Sequence, residues 1–165
     1  NRYISPSSAL CTPVITLMKV DLPAPDIFFG NDKMEGTDTD IYKSDQAFTQ
    51  GQMITVTGID NLNEWWIDPD FFEKQSDGAL KFLPINGDYR VTANAVLKYF
   101  SVMALKDGKP AKLQDDGTGA IWAIGKGIGK PSVASSEVGW EPGKALCLAQ
   151  VAPKKYQLTL KATRK

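Results

Sequence analysis

The chain has no histidine. That removes Ser-His-Asp and Cys-His catalysis, histidine-bearing zinc sites and imidazole acid–base chemistry together. Any enzyme built on it would have to work with carboxylates, Lys or Tyr. There are only two cysteines, Cys11 in a polar N-terminal stretch and Cys147 in the apolar run ALCLA. They read as unpaired thiols, with Cys147 a small core residue. SALC (8–11) lacks the preceding apolar run of a lipoprotein attachment site and carries bulky Leu10 where a small residue is needed. No apolar run reaches the roughly 18 residues that would mark a membrane-spanning helix. No stretch keeps helical period for three turns. The first residue is Asn1 rather than Met, so the chain is expected to be a mature form or a fragment, with any export signal outside it.

Net charge is also missing: 19 basic and 19 acidic side chains cancel. The balance is uneven along the chain. Residues 1–78 hold thirteen acids and five basic residues, and residues 79–165 hold six acids and fourteen basic residues. No acid follows Glu141. The late lysines alternate with apolar residues rather than clustering, which suits a solvated strand surface better than a nucleic-acid patch. With 165 residues and 42% hydrophobic content the chain can bury a core as one or two globular domains.

What is present is β-type sequence. MITVTGI (53–59) alternates apolar and polar residues and is rich in β-branched side chains. ALKFLPI (79–85) and YRVTANAV (89–96) flank NGD, a hairpin signal. LKYFSVMAL (97–105), AIWAIG (120–125), ALCLAQV (145–151) and KYQLTLKA (155–162) read as further strands. TPVITLMKVDL (12–22) could be a first strand or linker strand, residues 30–45 read as acidic turns, and 106–119 as a loop. Short strands at regular spacing with Gly and Pro turns predict an all-β sandwich of immunoglobulin-like type.

A repeat is visible too. Tyr89 leads GDYRVTA as Tyr156 leads KKYQLTL, at an offset of 67, and Gly58 and Gly125 close strands at the same offset. WIDP (66–69) echoes WEP (140–142). The expected organisation is an N-terminal extended segment or linker (1–25), a sandwich domain (26–116) and a second, similar module (119–165). At that offset the second copy stops at Lys165, where the first continues YFSVMAL. The second module therefore looks incomplete: either it is cut short or it packs on the first.

The aromatic stretch GIDNLNEWWIDPDFF (58–72) carries the main candidate site. In extended chain, Trp65 and Trp66 point to opposite faces, so one can enter the core while the other faces out. A flat exposed indole can stack on the apolar C–H face of a sugar ring, and Asp60, Asn61, Asn63 and Asp68 can bond hydroxyls. The competing readings are that both rings close over the end of the sandwich with Phe71 and Phe72, or that they meet a partner protein. Trp140, in VGWEPG, either plugs its module or stacks on sugar; Trp122, sharing a strand face with Ile124, is expected in the core, and Tyr89 and Tyr156 are expected to be structural. The acids at 60, 64, 68, 70 and 73 do not have EF-hand spacing, and a loop on a small sandwich offers no deep cleft for a glycosidase carboxylate pair. GKGIGK (125–130) is followed by Pro131 rather than Ser or Thr and a helix, so it is read as a flexible loop and not a phosphate loop. No metal, cofactor or catalytic residue is expected.

Residues 121–162 resemble the opening half of the repeated modules in SusE/SusF-type starch-utilisation surface lipoproteins. The matching residues are Ile121 to Gly125, Gly139-Trp140 with Pro142, and Tyr156 to Leu160. Residues 46–105 look like a more divergent copy. The resemblance implies immunoglobulin-like modules that bind a polysaccharide or oligosaccharide without cleaving it. It also implies the outer face of a bacterial outer membrane, a lipid anchor upstream of this chain, and other glycan-uptake proteins as partners. A spacer or protein-contact module of the same kind of assembly, with no sugar site, is the alternative.

Overall fold

The computed structural model describes residues 26–38 and 40–163. The N-terminal segment 1–25, with Cys11 and the expected strand in TPVITLMKVDL, lies outside the described residues. The described chain is all-β and sandwich-like, as its sequence predicts.

One layer is built on three eight-residue strands, Ile41–Phe48, Gly87–Asn94 and Tyr99–Lys106. Gly87–Asn94 lies at the centre, antiparallel to both neighbours, with Val91 opposite Ser44 on one side and Val102 on the other. Glu35–Asp38 and Lys109–Pro110 extend the two edges. Period-two alternation sends Tyr42, Phe48, Tyr89, Val91, Ala93, Phe100 and Val102 inward. Facing them is a three-stranded sheet in the order Met53–Ile54, Leu80–Phe82, Phe72–Lys74, whose inward residues are Ile54, Leu80, Phe82 and Phe72. Phe28–Phe29 pairs with Asp32–Lys33 and with Val56–Thr57.

Aromatic rings fill the space between the layers. Phe48 and Phe82 lie 4.8 Å apart, as do Phe82 and Tyr89, and Phe29 meets Phe72 at 5.3 Å and Phe100 at 5.6 Å. Edge and tilted contacts of this kind add to the gain from burying each ring. The Tyr89 hydroxyl donates to Ile85 O at 2.8 Å, so its one polar atom is satisfied.

The C-terminal segment packs on this sandwich and joins its core through Ala120, Cys147 and Ala149. Its strands form small sheets: Trp122–Ala123 with Leu146–Cys147, Ala149–Ala152 with Lys155–Gln157, and Gly125–Gly129 between Glu137–Gly139 and Lys161–Ala162. Ile85 N donates to Gln150 O at 2.8 Å, and Gln50 Nε2 reaches Val151 O at 2.9 Å.

Several local expectations are corrected. The NGD hairpin does not form. Leu80–Phe82 pairs with strands of one layer and Gly87–Asn94 with strands of the other, so residues 83–86 cross between layers. The tight turn lies instead at 95–98, after Asn94, whose Oδ1 accepts the Val96 and Leu97 N–H groups. Residues 30–45 are largely strand, because cross-strand pairing outweighs the turn-like composition. GKGIGK contains the strand Gly125–Gly129. The repeat does not extend to topology. Tyr89 stands in a central strand paired on both edges, whereas Tyr156 stands in a three-residue strand paired with Ala149–Ala152. The short motifs reported strand propensity and turns, not pairing partners.

Phe29 is fully buried among the rings of Phe48, Phe72 and Phe100, from strands of both layers. Phe29→Ala is expected to lower unfolding free energy by about 3–5 kcal/mol, the range for large cavities. Urea denaturation with an unchanged slope would show it; a loss under about 1 kcal/mol would mean the rings do not form the core.

Candidate binding cleft at the seam

The WW pair resolves through local backbone geometry. A short 3-10 turn, Leu62–Glu64, delivers the chain into extended conformation at Trp65. Trp66–Ile67 then runs parallel to the edge of the large sheet, with Trp66 opposite Tyr99 and Ile67 opposite Phe100. The Trp66 N–H donates to Lys98 O at 2.9 Å. Trp65 turns inward, is 7% exposed and lies 5.0 Å from the Phe100 ring. It is core and cannot serve as a sugar platform, a correction to its place among the candidates. Trp66 is half-buried and faces the C-terminal segment.

The next turn holds a buried ion triad. Lys130 Nζ lies 2.7 Å from Asp68 Oδ2 and 2.6 Å from Asp70 Oδ2, and all three side chains are at most 5% exposed. Asp70 is fully engaged. Its Oδ2 accepts the Thr159 N–H at 2.7 Å, its Oδ1 accepts the Thr159 hydroxyl at 2.9 Å, and its carbonyl accepts Gln157 Nε2 at 2.9 Å. Asp68 Oδ1 caps the turn by accepting the Asp70 N–H at 3.0 Å. The Trp66 and Phe71 rings stand 5.9 and 5.8 Å from Nζ, completing the surroundings of the cation. Gly129 precedes Lys130 where a side chain would collide with the Ser132 carbonyl, so only glycine lets the chain turn there.

Burial pushes the Asp68 carboxyl up to about 6, against the opposing pull of Lys130. Burial likewise pushes the Cys147 thiol up to about 11. This thiol is free, accepts the Ala104 N–H at 3.5 Å and is core, as expected.

Above the triad, a cleft of about 550 Å³ opens between the sandwich and the C-terminal segment. Trp66 and Tyr99 line it from the sandwich, and Trp122, Ser135, Glu137 and Lys144 from the other side. Trp122 is half-buried, with Nε1 donating to Ala111 O at 2.9 Å, while its strand-mate Ile124 is exposed. Trp140 is 66% exposed, between the cleft-lining Gly139 and Glu141; it is not a plug.

Of the candidate residues, the structure brings Trp66 and Asp68 to the cleft and Trp140 beside it. Asp68 is a poor acceptor for sugar hydroxyls because Lys130 and the Asp70 N–H already hold its oxygens. Asp60 and Asn61, on the approach to the 3-10 turn, and Asn63, within it, are exposed and do not line the cleft. Sequence reasoning missed Lys130, Tyr99 and Thr159 as partners of this stretch. The one signal was an apolar-flanked Lys before a proline in GIGKP; nothing local named its partners some sixty residues earlier.

The profile of the domain of unknown function DUF5125 matches residues 16–113, more than half of the chain. The chain belongs to this family. A second domain of unknown function, DUF5121, matches residues 116–165. Comparison with curated proteins and with solved structures finds no match. The triad bridges the two matched segments: Asp68 and Asp70 lie in the DUF5125 match, and Lys130 and Thr159 in the DUF5121 match.

Removing Lys130 leaves two buried carboxylates without their cation. Lys130→Ala is expected to cost about 3–5 kcal/mol. Lys98→Ala breaks an exposed 2.8 Å pair with Glu64 and should cost under about 1 kcal/mol. Chemical denaturation of the two variants side by side checks the contrast; equal losses would contradict it.

Asp68 also predicts a pH effect. Its folded value is raised from 3.8 to about 6, so the folded state holds a proton that the unfolded chain has released. Its contribution is present below pH 3.8 and is lost as pH rises through about 6. Asp68→Asn cannot titrate, so its melting temperature relative to wild type should rise between those limits. A constant difference across the range would refute the raised value.

Proposed function

We propose that this protein is a non-catalytic glycan-binding module of a bacterial cell-surface lipoprotein in a polysaccharide-utilisation system. The observation that carries the reading is that three aromatic side chains, Trp66, Tyr99 and Trp122, line one cleft beside the exposed Trp140. Aromatic planes offer apolar area to the C–H faces of sugar rings at low entropic cost. Ser101, Ser135, Glu137 and Lys144 supply donors and acceptors at the same walls for the hydroxyls. A mostly preformed concave site with a few convergent polar groups is the usual form of a small-ligand site. The module is non-catalytic in this proposal because Asp68, the aspartate that lines the cleft, and its neighbour Asp70 share one lysine. The surface location rests on the resemblance to SusE/SusF-type modules.

The spacer reading keeps one specific support. Trp65 is core and Asp68 is sequestered, so part of the aromatic stretch serves packing. Affinity electrophoresis against a polysaccharide panel separates the two. Binding predicts retardation by at least one glycan, weakened about tenfold, or about 1.4 kcal/mol, in Trp66→Ala. Trp140→Ala should weaken it less. No retardation by any glycan would leave the spacer reading standing, and unaltered retardation in Trp66→Ala would remove the cleft as the site.

A further inference from the structure

The triad has more than the parts of a salt bridge. An amine and a carboxyl group are held together out of water, a second carboxyl touches the same amine, and hydrogen-bond donors cover the first carboxyl. We propose that Lys130 and Asp70 condense to an intramolecular amide, with Asp68 as the proton-transfer group, so that the two matched segments become covalently joined. The salt-bridged arrangement is the state before condensation.

The bond changes balance without any co-reactant. Asp68 takes a proton from the Lys130 ammonium, freeing the Nζ lone pair. Nζ attacks Asp70 Cγ, and a C–N bond forms. One Asp70 oxygen leaves as water, carrying two protons that came from Nζ, one of them relayed by Asp68. The third stays on the amide nitrogen. A carboxylate and an ammonium thus become an amide and water, and Asp68 ends as it began.

Each requirement of that step has a residue. Nζ stands 2.6 Å from Asp70 Oδ2, one bond from the carbon it would attack, and 2.7 Å from Asp68 Oδ2, within reach of proton transfer. Holding the pair in one geometry replaces an improbable encounter; well-oriented intramolecular reactions reach effective molarities of about 10⁵–10⁸ M. Each Asp70 oxygen already has a Thr159 donor, so charge developing on either in the tetrahedral adduct is met. The Trp66 and Phe71 rings flank Nζ at 5.9 and 5.8 Å, and all three triad side chains are at most 5% exposed, which keeps water from the reacting atoms. Asp68, raised to about 6, can hold a proton near neutrality. The same burial keeps water from hydrolysing the product. Outside the triad, the Lys–carboxylate pairs among the described residues, Lys33–Asp26, Lys98–Glu64 and Lys144–Glu141, all lie at the surface.

Intact-mass spectrometry of the full chain tests this directly. Wild-type protein, folded and incubated to completion, should weigh one water less than its sequence. Digestion should give one branched peptide whose fragments place the link between Lys130 and Asp70. Lys130→Arg and Asp70→Ala should each carry full sequence mass. Asp70→Asn should lose ammonia in place of water, because the same bond then expels a different leaving group. Asp68→Ala should stop or strongly slow the reaction, and Thr159→Val should slow it, both judged on protein whose circular dichroism matches wild type. Full sequence mass in folded wild type overturns the proposal, as does a link at Asp68.

Discussion

One lysine buried between two aspartates holds this molecule's two segments in place. Ion pairs are expensive to bury, and the desolvation is offset only where the geometry is good and further hydrogen bonds support the charged groups. Here the triad meets that condition through Thr159, Gln157 and the turn at Asp68. Because a misplaced Lys130 would leave two acids uncompensated, the seam tolerates little sliding. The position of the C-terminal strands and the opening of the cleft follow from that restriction.

The cleft exists because neither segment closes over the other completely. The sandwich offers the outer edge of its large sheet, where Trp66 and Tyr99 stand opposite each other on parallel strands. The C-terminal segment offers short strands and turns, with Trp122 tethered by its indole N–H to Ala111. Rigid aromatic walls on a fixed floor are suited to a ligand that is itself stiff and partly apolar. The mixed charges at the rim, Glu137, Glu141 and Lys144, give the site no single electrostatic preference.

Much of the fold was legible from residue order. Alternation in YRVTANAV and LKYFSVMAL predicted the two central strands, and the absence of helical period predicted the all-β class. Adjacent tryptophans in extended chain required opposite orientations, and Trp65 and Trp66 take them. The failures share a cause. NGD is a good turn signal, yet the strands beside it belong to different layers. GKGIGK is glycine-rich, yet it pairs on both sides, and its final lysine is buried. The two Tyr-led motifs look alike, yet their strands have different partners. Local sequence encodes propensity and periodicity; it does not encode which distant strand supplies the other half of a ladder.

The sequence alone determined the chemistry available: no imidazole, a cluster of acids around an aromatic pair, and strands in place of helices. Those facts depend on residue identity and spacing. Tertiary structure decided which tryptophan is core and which is surface, and it decided what the acids do. Asp68 and Asp70 read in sequence as exposed loop carboxylates. Some sixty residues of intervening chain bring Lys130 back to them, and desolvation with pairing turns two ordinary acids into a buried triad beneath the cleft. Burial and long-range contact are properties of the folded chain, and no window of neighbouring residues contains them.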